Sequence, residues 1–129
     1  MNYLITGCAG FIGSNLIDKL LENKDIKLIG IDNLNNFYDK IIKEKNIENA
    51  LKNKNFIFIK NDLLDIESLD NIFNNYDINS VIHLAGYGRV RPSIDNPKLY
   101  IDNNIIATFK YIGMYKKIRS KKDNIRFFK

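Results

Sequence analysis

The sequence predicts an α/β fold, a doubly wound parallel sheet, and three observations carry that prediction. Short apolar runs alternate with stretches whose apolar residues recur at helical steps. The first run, Tyr3-Leu4-Ile5-Thr6, breaks into Gly7-Cys8-Ala9-Gly10-Phe11-Ile12-Gly13 before a helical pattern takes over. The second run ends on an acid, Asp32, nineteen positions after Gly13.

Taken in order, Tyr3–Thr6 is a continuous apolar run suited to a central strand buried on both faces. A helix is expected from Ser14 to Asn23, with Ile12, Leu16, Ile17, Leu20 and Leu21 on its apolar side. Ile26–Ile31 is the second strand, and Asp32–Tyr38 an Asn-rich loop. Ile41–Leu51 reads as a helix and Phe56–Ile59 as the third strand. Asn61–Asp65 breaks that strand and starts a short helix through Leu69, Ile72 and Phe73, with Asp65 or Ser68 as its cap. Ser80–Ala85 is the fourth strand. Gly86-Tyr87-Gly88-Arg89 is loop, Pro92 and Pro97 bracket a turn or helix start, and Leu99–Lys117 is a long helix. Asn124–Lys129 begins a partial fifth strand. Right-handed crossovers then give the strand order 3-2-1-4 with helices on both faces. A sheet ending at strand four leaves Val81, Ile82 and Leu84 at an open edge, which residues 125–128 cover in part.

The glycine run is the signature of a phosphate-binding turn. Glycines at steps of three let the chain turn tightly, bring main-chain N–H groups to a pyrophosphate and pack the next helix near the sheet. A side chain at Gly7 or Gly10 is expected to occupy the ligand's space. Asp32 supplies the second half of the signal. At the end of the second strand of a βαβ unit, a carboxylate accepts hydrogen bonds from the adenosine ribose hydroxyls and repels an added 2′-phosphate, which favours NAD over NADP.

Composition sets the outer limits. The chain has 129 residues, 45% of them hydrophobic, enough for one domain with a buried core. Cys8 is the single cysteine, so no internal disulfide forms and a reducing compartment, the cytoplasm, is expected. No secretory leader and no membrane-length apolar run is read. The net charge of +5 is uneven: residues 110–129 hold eight Lys or Arg against one Asp, while the rest of the chain is slightly acidic. A single basic stretch of this kind is a solvated helix end, so neither nucleic acid nor membrane is expected as a partner.

The segments Ile5–Ser14, Gly30-Ile31-Asp32-Asn33-Leu34-Asn35-Asn36-Phe37-Tyr38-Asp39, Asn61-Asp62-Leu63, Val81-Ile82-His83-Leu84-Ala85 and Val90-Arg91-Pro92-Ser93-Ile94-Asp95-Asn96-Pro97 follow one another without large gaps. In them the sequence resembles the extended short-chain dehydrogenase/reductase family, and within it the nucleotide-sugar epimerases, most closely the UDP-glucuronate 4-epimerases. The likeness covers almost all of this chain and less than half of a family member. It implies a Rossmann NAD-binding part over residues 1–129, without the substrate lobe. It also implies roles: Phe11 and Ile12 present N–H groups to the pyrophosphate beside Gly7, Gly10 and Gly13. Asp32 holds the adenosine ribose, with Asn33 and Asn35 nearby as polar contacts to the same end of NAD. Asp62 and Leu63 meet the adenine, Leu84, Ala85 and Gly86 line the route to the nicotinamide ribose, and Asn104 ties the long helix to strand four. Arg91 matches the subfamily pattern, whereas Arg89 stands where a small residue is usual. Either arginine suits a phosphate or sugar carboxylate.

Full-length family members epimerise UDP-hexuronic acids or UDP-hexoses at C4 through a keto sugar. That chemistry uses a tyrosine four positions before a lysine, together with a Ser or Thr. Here Tyr111 is followed at that spacing by Tyr115, Tyr115 by Arg119 and Tyr38 by Ile42, so no catalytic residue is assigned. His83, inside an apolar strand, is expected to find a local partner, and Cys8 to act as a spacer. No metal site is read. Three readings stay open: an inactive NAD-binding fragment of an epimerase or dehydratase, whose partner is the missing C-terminal half or an intact homologue; a non-catalytic NAD-binding or docking module; and a decayed product.

Overall fold

The computed structural model describes residues 1–119 and 126–128. Five parallel strands form one sheet in the order 3-2-1-4-5: β1 (Asn2–Thr6), β2 (Lys27–Asp32), β3 (Phe56–Lys60), β4 (Ser80–His83) and β5 (Arg126–Phe128). The fold class and the order of the first four strands are those expected from the sequence. β5 also exists, pairing Val81 with Phe127 and Ile82 with Phe128, so β4 is an interior strand and the open edge passes to β5. The expected fifth-strand residues Asn124, Ile125 and Lys129 lie outside the described residues.

Each helix has a local cause. α1 (Phe11–Leu21) begins directly from Gly10, three residues earlier than expected, so the glycine turn and the helix N-terminus are one structure. α2 (Lys40–Leu51) is capped by the Asp39 carboxylate, which accepts from Ile41 N–H. α3 (Ile66–Asn75) is capped by Asp65, which accepts from Ser68 N–H at 3.1 Å. β4 stops at His83, two residues short of the apolar run, because Ala85 N–H turns to the Thr6 hydroxyl instead of a strand partner.

The expected long helix Leu99–Lys117 is composite. α4 (Val90–Asp95) precedes α5 (Pro97–Tyr100), which runs into a widened π-helical stretch, Ile101–Ile106, and then α6 (Ala107–Arg119). π-Turns of this kind occur often at functional sites. This one carries Asn103 and Asn104 toward the ends of the strands, where Asn104 holds the backbone of Tyr87 from both sides.

The sheet buries both faces. On one, Leu4, Ile29, Ile31 and Val81 pack against Leu69, Ile72 and Phe73 of α3 and Ala107, Tyr111 and Met114 of α6. On the other, Ile5, Leu28 and Phe56 meet Cys8, Ile17 and Ala50, beneath α1 and α2. The alternating strand residues serve opposite faces, as the doubly wound arrangement requires. The carboxyl ends of β1, β2, β3 and β4 therefore open at one rim, where the order reverses between β1 and β4. Among the described residues no helix is long and apolar enough to cross a membrane.

Candidate functional site

A cleft open to solvent lies at this rim. The sequence-predicted residues Gly7, Gly10, Asp32, Asn33, Asn35, Asp62, Leu63, Leu84, Ala85 and Gly86 all line it. Phe11, Ile12 and Gly13 do not. The side chains of Phe11 and Ile12 point to solvent, 79% and 68% exposed, and Gly13 is buried under the turn. Their expected contribution is main-chain only: the first-turn N–H groups of Phe11 and Ile12 have no helical partner, and among the described bonds none is made by them.

The glycines act through packing. Gly7 has φ +69°, and a Cβ there would lie 2.7 Å from Ala85 N and 2.8 Å from Ala85 Cα. At Gly10 a Cβ would meet Gly7 O at 3.2 Å, and at Gly13 it would meet the same oxygen at 2.3 Å. The turn is thus compressed between β4 and α1, and side chains are excluded by protein backbone. The consequence for a ligand is indirect: α1 starts close to the strand ends with its dipole aimed along the rim.

Asp32 ties the glycine turn to the loop after β2. Its carboxylate accepts from Ala9 N–H at 3.1 Å and from Leu34 N–H at 2.9 Å, and it is 8% exposed. Lys43, from α2, stands 3.6 Å from Asp32 Oδ1, donates to Asn35 Oδ1 at 2.8 Å and lies 5.1 Å from the Tyr38 ring centroid. Neither the lysine nor its role was legible in the motif. It reads as one charge among many in the α2 segment, and only the helical spacing of Lys43, Ile47 and Ala50 shows that it shares their buried face.

The other polar residues are mutually committed. Asp62 accepts from Asn33 Nδ2 at 2.9 Å and from Leu64 N–H at 2.9 Å, joining the loops after β2 and β3. Asn35 Nδ2 donates to Tyr87 Oη at 2.8 Å, and Phe37 meets the Tyr87 ring edge-on at 4.8 Å, so the loops after β2 and β4 touch over the cleft. Phe37, Tyr38, Asn61, Tyr87 and Asn103 are lining residues that motif reasoning missed. Asn61 Nδ2 is a buried donor without a hydrogen-bond partner.

His83 is part of a buried relay, not an exposed proton donor. Ala85 N–H donates to Thr6 Oγ1, Thr6 Oγ1 lies 2.7 Å from His83 Nδ1, His83 Nε2 lies 2.9 Å from Thr108 Oγ1, and Thr108 donates to Asn104 O. Thr108 donates its proton to Asn104 O, so at the 2.9 Å contact its oxygen accepts from His83 Nε2–H. The Tyr111 ring stacks on the imidazole at 5.4 Å. Asn104, expected to tie its helix to strand four, reaches the loop beyond it, accepting from Tyr87 N–H at 2.7 Å and donating to Tyr87 O at 2.9 Å.

The shifted groups at and beneath the cleft all move one way. Burial, and then the Asp32 charge, push the Cys8 thiol and the Tyr38 phenol up. Tyr87 is raised by burial and then by Asp62, Tyr100 and Asp32, and Tyr111 is raised well above the usual range by burial alone. These groups stay protonated at neutral pH. Arg89 takes φ +70° and lays its guanidinium 5.4 Å from the Phe37 ring centroid, and both Arg89 and Arg91 are exposed outside the cleft lining.

The comparisons with known proteins agree on one lineage. A family model described as GDP-mannose 4,6 dehydratase matches residues 4–129. UDP-glucuronate 4-epimerase of Thermodesulfobacterium geofontis is 40% identical over 121 residues, 93% of this chain and 37% of that protein. dTDP-D-glucose 4,6-dehydratase of Dictyostelium discoideum is 40% identical over 120 residues, 92% of this chain and 27% of its own length. Among solved structures, UDP-glucuronic acid 4-epimerase from Bacillus cereus, in complex with UDP-glucuronic acid and NAD, superposes with a TM-score of 0.76 at 36% identity, over 88% of this chain and 36% of that one. The chain therefore spans about a third of the length of these relatives.

Proposed function

Because this chain belongs to the GDP-mannose 4,6-dehydratase family, among the nucleotide-sugar epimerases of the extended short-chain dehydrogenase/reductases, we propose that it is the NAD-binding part of such an epimerase or dehydratase. The observation that carries this reading is the bond from Ala9 N–H to Asp32 Oδ2, which fixes the acid for the adenosine ribose against the turn that opens α1. The residues fit a dinucleotide: unbonded N–H groups at Phe11 and Ile12 for the diphosphate, a carboxylate at Asp32 for the ribose, and Leu63 beside Asp62 for the adenine. NAD, when bound, supplies the redox chemistry of the sugar's C4 carbon. The chain's own residues bind it, orient it and hold the loops over it.

Acid–base chemistry is not part of what this chain offers. The phenols beside the cleft are held protonated, and the Tyr-x-x-x-Lys spacing is missing. The partner we assign is the remaining polypeptide of a full-length relative, or an intact homologue. Cytoplasmic placement belongs to the same reading, supported by one buried, unpaired thiol at Cys8.

Calorimetric titration of the chain with NAD⁺ tests the proposal. Saturable one-to-one binding is expected, with no epimerisation of UDP-glucuronic acid by the chain alone. Asp32→Asn, in folded protein, should weaken NAD⁺ by about tenfold, the loss of charge in the ribose bonds. Unchanged affinity in that variant overturns the assignment of Asp32.

A further inference from the structure

The loops that follow β2 and β4 are joined to each other across the glycine turn. In the strand order 3-2-1-4-5, β1 stands between β2 and β4, so a contact between those two loops spans the carboxyl end of β1 and the turn that leaves it. Asn35 and Tyr87 make that contact. Asn35 Nδ2 donates to Tyr87 Oη at 2.8 Å, and the Phe37 ring meets the Tyr87 ring edge-on at 4.8 Å. All three residues line the cleft.

Both ends of this bridge are anchored. Asn35 Oδ1 accepts from Lys43 Nζ at 2.8 Å and from Phe37 N–H at 3.2 Å. An ammonium only donates, so the amide oxygen faces Lys43 and the amide nitrogen faces the phenol. At the other end Asn104 holds the Tyr87 backbone through both its N–H and its C=O, and the Tyr100 ring stands 5.7 Å from the Tyr87 ring. With the backbone fixed, the phenol is the part that moves, by rotating about its own side-chain bonds. One neutral hydrogen bond and one edge-on ring pair favour the joined form by roughly ten- to a hundredfold.

A diphosphate on the N–H groups that open α1 lies at the turn the bridge spans. Its two nucleosides extend to opposite sides, one toward the ends of β2 and β3 and the other toward β4. We infer that Asn35 and Tyr87 form a strap over the diphosphate: it parts to admit a dinucleotide and rejoins above it, so that one contact slows entry and release together. The inference rests on the dinucleotide reading. It gives Tyr87 a role in the rate of coenzyme exchange with little effect on affinity, because the strap is joined in the empty and in the filled cleft alike.

Stopped-flow mixing of the whole chain with NADH, followed by its fluorescence, gives the association rate constant, and displacement by excess NAD⁺ gives the release rate constant. Tyr87→Ala should raise both by about tenfold, with Kd within about threefold of the wild type. Tyr87→Phe keeps the ring pair and loses the hydrogen bond, and should raise both by about threefold. Faster release with unchanged association overturns the inference, by reducing Tyr87 to a contact that holds bound coenzyme. Two unchanged rate constants also overturn it, since the bridge then spans no route, and so does slower association, the mark of a residue that only supports the cleft. If Tyr87→Ala does not fold, the two rate constants of Tyr87→Phe decide alone. Failure of the wild-type chain to bind NADH at all removes the dinucleotide reading itself.

Discussion

Single residues here divide by what their backbone touches. Gly7 and Gly13 have no room for a methyl group, because Ala85 and the Gly7 carbonyl lie within 2.7 Å and 2.3 Å of where it would stand. Gly113, in α6, has nothing within 4 Å of that position. Gly13→Ala should therefore cost about 3 kcal/mol or more through forced backbone movement, whereas Gly113→Ala should stabilise by about 0.5 kcal/mol through lowered unfolded-state entropy and better helix propensity. Urea denaturation of both variants checks the contrast. Equal costs would show that the turn tolerates expansion and that spacing, not compression, explains the glycines. The same division separates Asp32 from Lys43. The acid could be read from its spacing after Gly13, since that interval is fixed by one helix and one strand. The lysine is a fainter signal, since a charged residue is ordinarily solvated and only its helical spacing with Ile47 and Ala50 marks this one as buried.

At the scale of elements, the strands and the first three helices were legible because each is governed by nearest neighbours in sequence: apolar runs, Asp65 as a cap, and the glycine break. The segment from Val90 to Arg119 was not, because its winding is set by contacts across the sheet rim. Asn104 grips Tyr87, the Tyr100 hydroxyl reaches Gly88 O, and Thr108 reaches His83. None of these partners is near in sequence, so periodicity alone gives one straight helix where the chain has a widened turn. The Thr6–His83–Thr108 relay couples β1, β4 and α6 beneath the loop that carries Gly86. Thr108→Val removes the hydroxyl between the imidazole and the Asn104 carbonyl and should destabilise the fold by about 1–3 kcal/mol, as a buried polar loss does. The slippage should also loosen the Gly86–Tyr87 loop, read as faster amide hydrogen exchange there than in β3. Protection lost evenly across the sheet would mean that the relay stabilises the core without positioning the rim.

For the whole molecule the decisive fact is that apolar surface remains uncovered on one side. Ile101, Ile105 and Phe109 recur every fourth residue, facing away from Ala107, Tyr111 and Met114, which pack on the sheet. Ile105 is 59% and Phe109 75% exposed, and Val90 and Ile94 of α4 are exposed as well. β5 has only three residues, its outer edge carries no strand partner among the described residues, and Phe128 is half exposed beside it. Contiguous apolar surface and an open edge both promote association in water. The isolated chain should accordingly self-associate or bind a partner, and light scattering after size exclusion should report species larger than the monomer at high micromolar concentration. Phe109→Glu with Ile105→Glu should shift it toward the monomer while leaving NAD⁺ affinity unchanged, because neither side chain lines the cleft. A wild-type chain that runs as a sharp monomer, with a melt unaffected by the two charges, would mean that the stripe is covered in solution by something other than a second molecule. The separation of this surface from the cleft is what makes coenzyme binding and assembly independently testable. Coenzyme binding is carried by the carboxyl ends of β1 to β4, and assembly by the outer face of α6 and the edge at β5.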